Sequence, residues 1–304
     1  MTSGLKCAII PAKAPLKINF FLKDFSPEGE KMQYIVGTAL IYVIASVFYI
    51  PLSKKEEKGR VEQKVKQHTT EQELPNLSAT PHLNNVSVRV RGRGFVAGSV
   101  RRLLRVLEES PQSVDLAIRA SKHYGVPIDV LLAHWRMESF MGLSGFHGKF
   151  YALKQVQKKQ RDPSEKHRWK NFASNERDLR AIARHCGYNL LTLKGSSTGA
   201  LGPMQFMPST WALVSVDASG DGKACPTNLA DAMFGAALFL KGNYTRLGSW
   251  DNAMLGYAGG NVPANRAYVS RSRRIRPYFC QIMRKATGQE LPCSMEPTQH
   301  LASN

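Results

Sequence analysis

Glu138 interrupts an apolar helix stripe. In "PIDVLLAHWRMESFMG", Leu131, Trp135 and Glu138 follow one another at i, i+4 and i+7, so all three fall on one face of a helix. Burial beside an indole disfavours the charged carboxylate and raises its pKa, giving a group that stays protonated and can donate its proton as a general acid. The competing reading is a helix-end glutamate turned to solvent. A second stretch, "LKGSSTGALGPMQFMPSTW" at 193–211, sets one long polar side chain, Gln205, between Met204 and Phe206. Its glycines permit close backbone approach, and Pro203 and Pro208 fix φ, so it reads as a shaped loop presenting an amide against an apolar wall. An ordinary turn with a buried methionine cluster is the alternative.

A third stretch, "DASGDG" from Asp217 to Gly222, carries oxygen ligands at positions 1, 3 and 5 and glycine at 6, like the start of a calcium loop. Asn228 stands at position 12, where a standard loop has Glu; a turn in which Asn228 or Asp231 caps the next helix is the other reading.

The elements that must position these groups are helical. "SVDLAIRASKHYG" and "PIDVLLAHWRMESF" are amphipathic stretches separated at Gly125 and restarted at Pro127, and "NERDLRAIARHCGYN", "LADAMFGAALFLKGNYTRLG" and "WDNAMLGYAGG" continue the series. Strand signals are scarce, so residues 113–293 read as one mainly α domain of helices packed on helices. With 304 residues and 43% hydrophobic content, the chain supports one sizeable core besides smaller segments. Cys186, Cys225, Cys280 and Cys293 allow three full pairings, of which we take 186 with 225 and 280 with 293; four reduced cysteines are the alternative.

Residues 32–52, "MQYIVGTALIYVIASVFYIPL", carry no charge and are long enough to cross a bilayer as one anchor, with basic residues on both sides. The "EGEKM" before them suggests translation starting at Met32, leaving 1–31 as an extension. Residues 53–112 read as a charged spacer, with "SVRRLLRVLEES" a short helix leading into the domain, and 294–304 as a tail. A formal charge of +19 draws anionic partners, yet no helix-turn-helix, zinc-finger or aromatic RNA-binding signature is present, so nucleic acid is not expected.

Taken together, "WRMESFMG", "GKF", "LTLKGSSTGALGPMQFMPSTW" and "VDASGDGKACPTNLADAMFGAALFL" resemble the membrane-bound lytic murein transglycosylase B family over roughly 113–262. The resemblance implies a lysozyme-like fold of the goose-type lysozyme and transglycosylase kind behind a single transmembrane helix, acting on peptidoglycan glycan strands. Carried onto this chain, it makes Glu138 the catalytic acid and base. It sets Ser196, Gln205, Met204 and Phe206 along the glycan cleft, with Gly199 to Gly202 shaping the wall. Tyr257, in "LGYAGGN", matches the cleft tyrosine, although Ala258 follows it where Asn is usual. In the same family a variant calcium loop closes on a later aspartate, which implies a structural calcium or sodium held by Asp217, Ser219, Asp221, the Lys223 carbonyl and Asp231, with no cofactor for catalysis.

The carboxylate count agrees with this chemistry. A hydrolytic muramidase needs a second carboxylate, and Asp162 and Glu165 lie in a charged insertion that reads as a solvated face. A lytic transglycosylase needs one glutamate, because the substrate's acetamido group stabilises the cation and its C6 hydroxyl closes the 1,6-anhydro ring. Other readings are a muramidase and a non-catalytic wall-binding or assembly protein. The expected location is the bacterial inner membrane, with the domain in the periplasm beside wall or secretion machinery.

Overall fold

The computed structural model describes residue 86 and residues 93–142, 148–162 and 172–295. The anchor at 32–52, the extension at 1–31 and most of the spacer lie outside these residues. Among the described residues no helix is long and apolar enough to cross a membrane.

In chain order the helices are α1 (Phe95–Glu109), α2 (Pro111–Tyr124), α3 (Ile128–Ser139), α4 (Ala152–Arg161), α5 (Phe172–Cys186), α6 (Pro208–Val214), α7 (Leu229–Leu247), α8 (Trp250–Tyr257) and α9 (Pro263–Thr287). A two-residue antiparallel pair, β1 (Phe150–Tyr151) with β2 (Lys194–Gly195), sets Phe150 opposite Gly195. The expected mainly helical fold is therefore what the described chain adopts.

Punctuation follows local chemistry. Pro111 opens α2, where a missing N–H costs nothing, and Gly125 closes it in the left-handed region at φ 63°, its N–H returning to the Ser121 carbonyl. The Asn228 side chain caps α7 by accepting from the Ala230 and Asp231 amides. Around α3, which is buried along most of its length, α9 and α2 pack from two sides, while α7 carries α2 and α8.

Two boundaries differ from the sequence reading. The spacer does not extend to 112, because α1 already belongs to the domain: Val100, Leu103 and Val106 recur at three-residue steps and sit in the common core, the intervening arginines having masked that stripe. The tail does not begin free at 294 either. Ser294 donates its amide, at 2.8 Å, and its hydroxyl to Asp129, a fully buried carboxylate in the first turn of α3. Burial pushes the Asp129 pKa up, and the Ser294 bonds oppose that shift. Cys186 is bonded to Cys225 and Cys280 to Cys293, with Cα separations of 5.8 and 5.9 Å.

Candidate active site

Glu138 occupies the last turn of α3, one turn beyond Trp135, whose indole is buried and donates Nε1–H to the Gly142 carbonyl at 3.2 Å. The glutamate side chain is 16% exposed. Its Oε1 accepts a hydrogen bond from the Tyr268 hydroxyl at 2.7 Å, while Oε2 has no partner among the described residues. Burial drives its pKa up from the ordinary 4.5 to about 7, and the Tyr268 hydrogen bond, which favours the carboxylate, only partly offsets that. A carboxyl poised there can both give and take a proton at neutral pH.

The chain leaves α3 abruptly. Phe140 and Met141 both adopt left-handed backbone conformations, φ 60° and 56°, which non-glycine residues rarely take. Arg102 on α1 holds both: Nε donates to the Phe140 carbonyl at 3.0 Å and a terminal nitrogen to the Met141 carbonyl at 2.7 Å. Ser139 Oγ accepts from the Gly142 amide at 3.1 Å. This turn leaves the Phe140 ring 55% exposed two residues from Glu138, with the Arg136 guanidinium 3.7 Å above its centroid.

Behind Glu138 lies an aromatic layer. His134, one turn earlier on α3, is fully buried, with Nδ1 2.7 Å from the Tyr268 hydroxyl and its ring edge-on to Tyr257 at 4.0 Å between centroids. Burial lowers the His134 pKa to about 3, so the imidazole is neutral and its 3.8 Å approach to Glu138 is not an ion pair. The Tyr257 hydroxyl donates to the Met204 carbonyl at 2.8 Å, stapling α8 to the glycine-rich loop. Both tyrosines have pKa values driven well upward, by burial first and then by the neighbouring Glu138 charge.

The 193–211 stretch is a tight bridge. Leu201 and Phe206 exchange backbone hydrogen bonds of 2.8 and 2.9 Å around a turn in which Gln205 takes φ 51°. Gly202 is irreplaceable in this turn: at φ 70°, a Cβ there would stand 1.7 Å from the Pro226 carbonyl oxygen. The bridge turns Met204 and Phe206 inward, where they are 0% and 1% exposed. The two side chains expected along a glycan cleft therefore sit in the core instead, Phe206 packing on Trp211 and Tyr257. Gln205 is half-buried at the loop surface, and its Nε2 donates to the Gly202 carbonyl at 2.7 Å. Ser196 is also half-buried, and its Oγ accepts from the Thr198 and Ala200 amides at 3.1 and 3.0 Å, holding the loop entry.

The DASGDG loop is closed by its own amides. Asp217 accepts from the Gly220 and Gly222 amides at 2.8 and 2.7 Å, and Asp221 from the Lys223 amide at 2.8 Å. Asp231 is fully buried and accepts from the Ala218 and Ser219 amides, both at 2.9 Å, and from the Cys225 amide at 2.8 Å. Ser219 Oγ donates to Asp217 at 3.2 Å. Among the described residues no three His, Cys, Asp or Glu side chains gather to hold a metal ion. The cation site expected from Asp217, Ser219, Asp221, the Lys223 carbonyl and Asp231 does not appear among the described residues: the donor types suit a hard cation, but the three carboxylates do not gather, and each accepts from amides of the loop.

The pattern of the transglycosylase SLT domain matches residues 102–266, more than half of the chain. The chain belongs to this family and is a peptidoglycan lytic transglycosylase. The match is to the SLT domain as a whole and does not single out the membrane-bound B branch. It begins at Arg102, the residue clamping the turn after Glu138, and stops two residues short of Tyr268.

The chain is similar in structure to the lytic transglycosylase SLT35 of Escherichia coli solved in complex with calcium, at 17% identity and a TM-score of 0.48, covering 66% of this chain and 77% of that one. Soluble lytic transglycosylase SltB1 of Pseudomonas aeruginosa matches at 15% identity and a TM-score of 0.48, covering 85% and 97%. SltB3 of the same organism, solved with NAG-NAM-pentapeptide, matches at 19% identity and a TM-score of 0.40, covering 62% and 53%. No curated protein matches the sequence.

Tyr268, His134 and Arg102 escaped the sequence reading. Tyr268 lies on α9, whose buried positions Val269, Ser272, Ile275, Phe279, Ile282 and Met283 recur every three or four residues amid arginines; that periodicity was the available signal.

Proposed function

We propose that Glu138 is the single acid and base of a non-hydrolytic cleavage of the MurNAc-GlcNAc β-1,4 bond, on a goose-type lysozyme-like helical scaffold. The observation that carries this is a carboxyl with a pKa near 7, anchored through Oε1 by Tyr268, on whose ionisation only burial and that tyrosine act; among the described residues no second carboxylate perturbs it. Asp162 ends α4 in the described chain, and Glu165 lies outside it.

Protonated Glu138 gives its proton to the glycosidic oxygen as that bond breaks. The substrate's acetamido oxygen stabilises the cation left at C1. The carboxylate then takes the proton of the muramic C6 hydroxyl as its oxygen bonds to C1, and Glu138 ends protonated as it began. Gln205 and Ser196, on the half-buried surface of the glycine-rich loop, are the polar groups offered to sugar substituents, and exposed Phe140 offers a ring face. The same reading places an anchor at 32–52 in the inner membrane with the domain in the periplasm, on the strength of that uncharged run. Wall or secretion machinery then lies within reach as a partner.

Mass spectrometry of muropeptides released from purified sacculi by the full chain, beside Glu138→Gln, tests the chemistry. Products lighter by one water than the reducing muropeptides, absent with the variant, are expected. Reducing ends would replace this mechanism with hydrolysis, and release by the variant would remove Glu138 from it.

A further inference from the structure

His134 is used by none of the steps above, although it is fully buried directly behind the proposed acid. The Tyr268 hydroxyl has one hydrogen, and it goes to Glu138 Oε1 at 2.7 Å. The tyrosine oxygen can then only accept, and the group that meets it, again at 2.7 Å, is His134 Nδ1. Nδ1 must therefore carry the imidazole hydrogen. His134 Nε2 is buried and has no partner among the described residues, as suits a bare lone pair. The reverse tautomer would bury an unmet N–H donor at Nε2, costing about 1–3 kcal/mol, and would set two acceptors competing for one tyrosine hydrogen. The titratable groups facing His134 are Glu138 from its own helix, Tyr257 from α8 and Tyr268 from α9.

We infer that His134 is a positioning residue whose Nδ1–H makes Tyr268 a one-way donor to Glu138 Oε1, confining the transferable proton to Oε2, the oxygen left for substrate. Without that hydrogen the Tyr268 oxygen could accept from a protonated Oε1, and the proton would be parked on the wrong side of the carboxyl. The inference rests on Glu138 being the acid and base; the tautomer itself does not.

The test starts with long-range proton–nitrogen NMR on the full chain labelled with nitrogen-15, the His134 ring being assigned by its response to Tyr268→Phe. A Nδ1–H, bare-Nε2 ring that stays neutral between about pH 5 and 8 is expected, and an Nε2–H tautomer or a ring titrating near the usual 6.5 would overturn the inference. On sacculi, His134→Phe is expected to lower kcat on the order of tenfold with KM within about twofold and to move the alkaline limb upward. His134→Asn, whose amide N–H takes the place of Nδ1–H, should recover most of that loss. Equal losses in both variants with an unmoved pH profile would reduce His134 to packing and refute the role. Full activity in Glu138→Gln would instead sink the proposed mechanism while leaving the tautomer result standing.

Discussion

Glu138→Gln should stabilise this protein while removing its activity, and the gain should depend on pH in a way that follows from burial. The glutamate pKa rises from 4.5 to about 7 on folding, a change that at about 1.4 kcal/mol per pH unit corresponds to roughly 3 kcal/mol. A folded-state pKa above the unfolded value means the protonated form is the favoured one. Below about pH 4.5 the side chain is protonated folded and unfolded, and the fold loses nothing. As pH climbs through about 7 the buried group ionises at a cost, and above that the full ~3 kcal/mol has gone. Glutamine keeps an oxygen for the Tyr268 hydroxyl and never ionises, so its advantage over the native chain should grow by about 3 kcal/mol between about pH 4 and 8. In a domain of this size that corresponds to roughly 6–12 °C in Tm. Guanidinium and thermal unfolding at both pH values, disulfides intact, read the difference directly. A pH-independent advantage, or a variant less stable at pH 8, would show that the carboxyl is not held in a desolvated site.

Tyr268→Phe removes a hydrogen bond to the carboxylate worth about 1.5–3 kcal/mol, so the Glu138 pKa and the alkaline limb of sacculus clearing should rise by about 1–2 units; a limb that stays or falls would contradict the geometry. Arg102→Ala frees two carbonyls in consecutive left-handed residues and should destabilise the fold by about 2 kcal/mol, with faster exchange of the Gly142 amide and lower kcat; unchanged exchange would mean the turn holds itself. Asp231→Asn leaves one of three buried amides facing an NH₂ group and should cost about 2–4 kcal/mol, equally with chelator or excess calcium. A native Tm that rises with calcium would refute a loop closed by amides alone.

The sequence by itself determined the helical class, the carboxyl on the apolar face and the shaped loop, because each is written at short range. Periodicity put Glu138 on the same face as Leu131 and Trp135, and the glycines and prolines around Gln205 demanded a shaped turn. It could not tell which way that turn's residues face. Met204 and Phe206 alternate with Gln205 as a wall would, and only the Leu201–Phe206 bridge, packed on Trp211 and Tyr257, sent them into the core. The DASGDG oxygens had the right chemistry for a cation, while the approach of buried Asp231 to the Ala218, Ser219 and Cys225 amides became visible only in the fold. The pairing that tunes the Glu138 carboxyl was beyond local reading altogether. Tyr268 is 130 residues from Glu138 and reaches it because α9 packs on α3, and Arg102 reaches the next turn from a helix that composition made look like spacer. Period and turn chemistry act over a few residues and survive in a string of letters; desolvation and hydrogen-bond partnership depend on what lies across the core, and only the packed chain decides them.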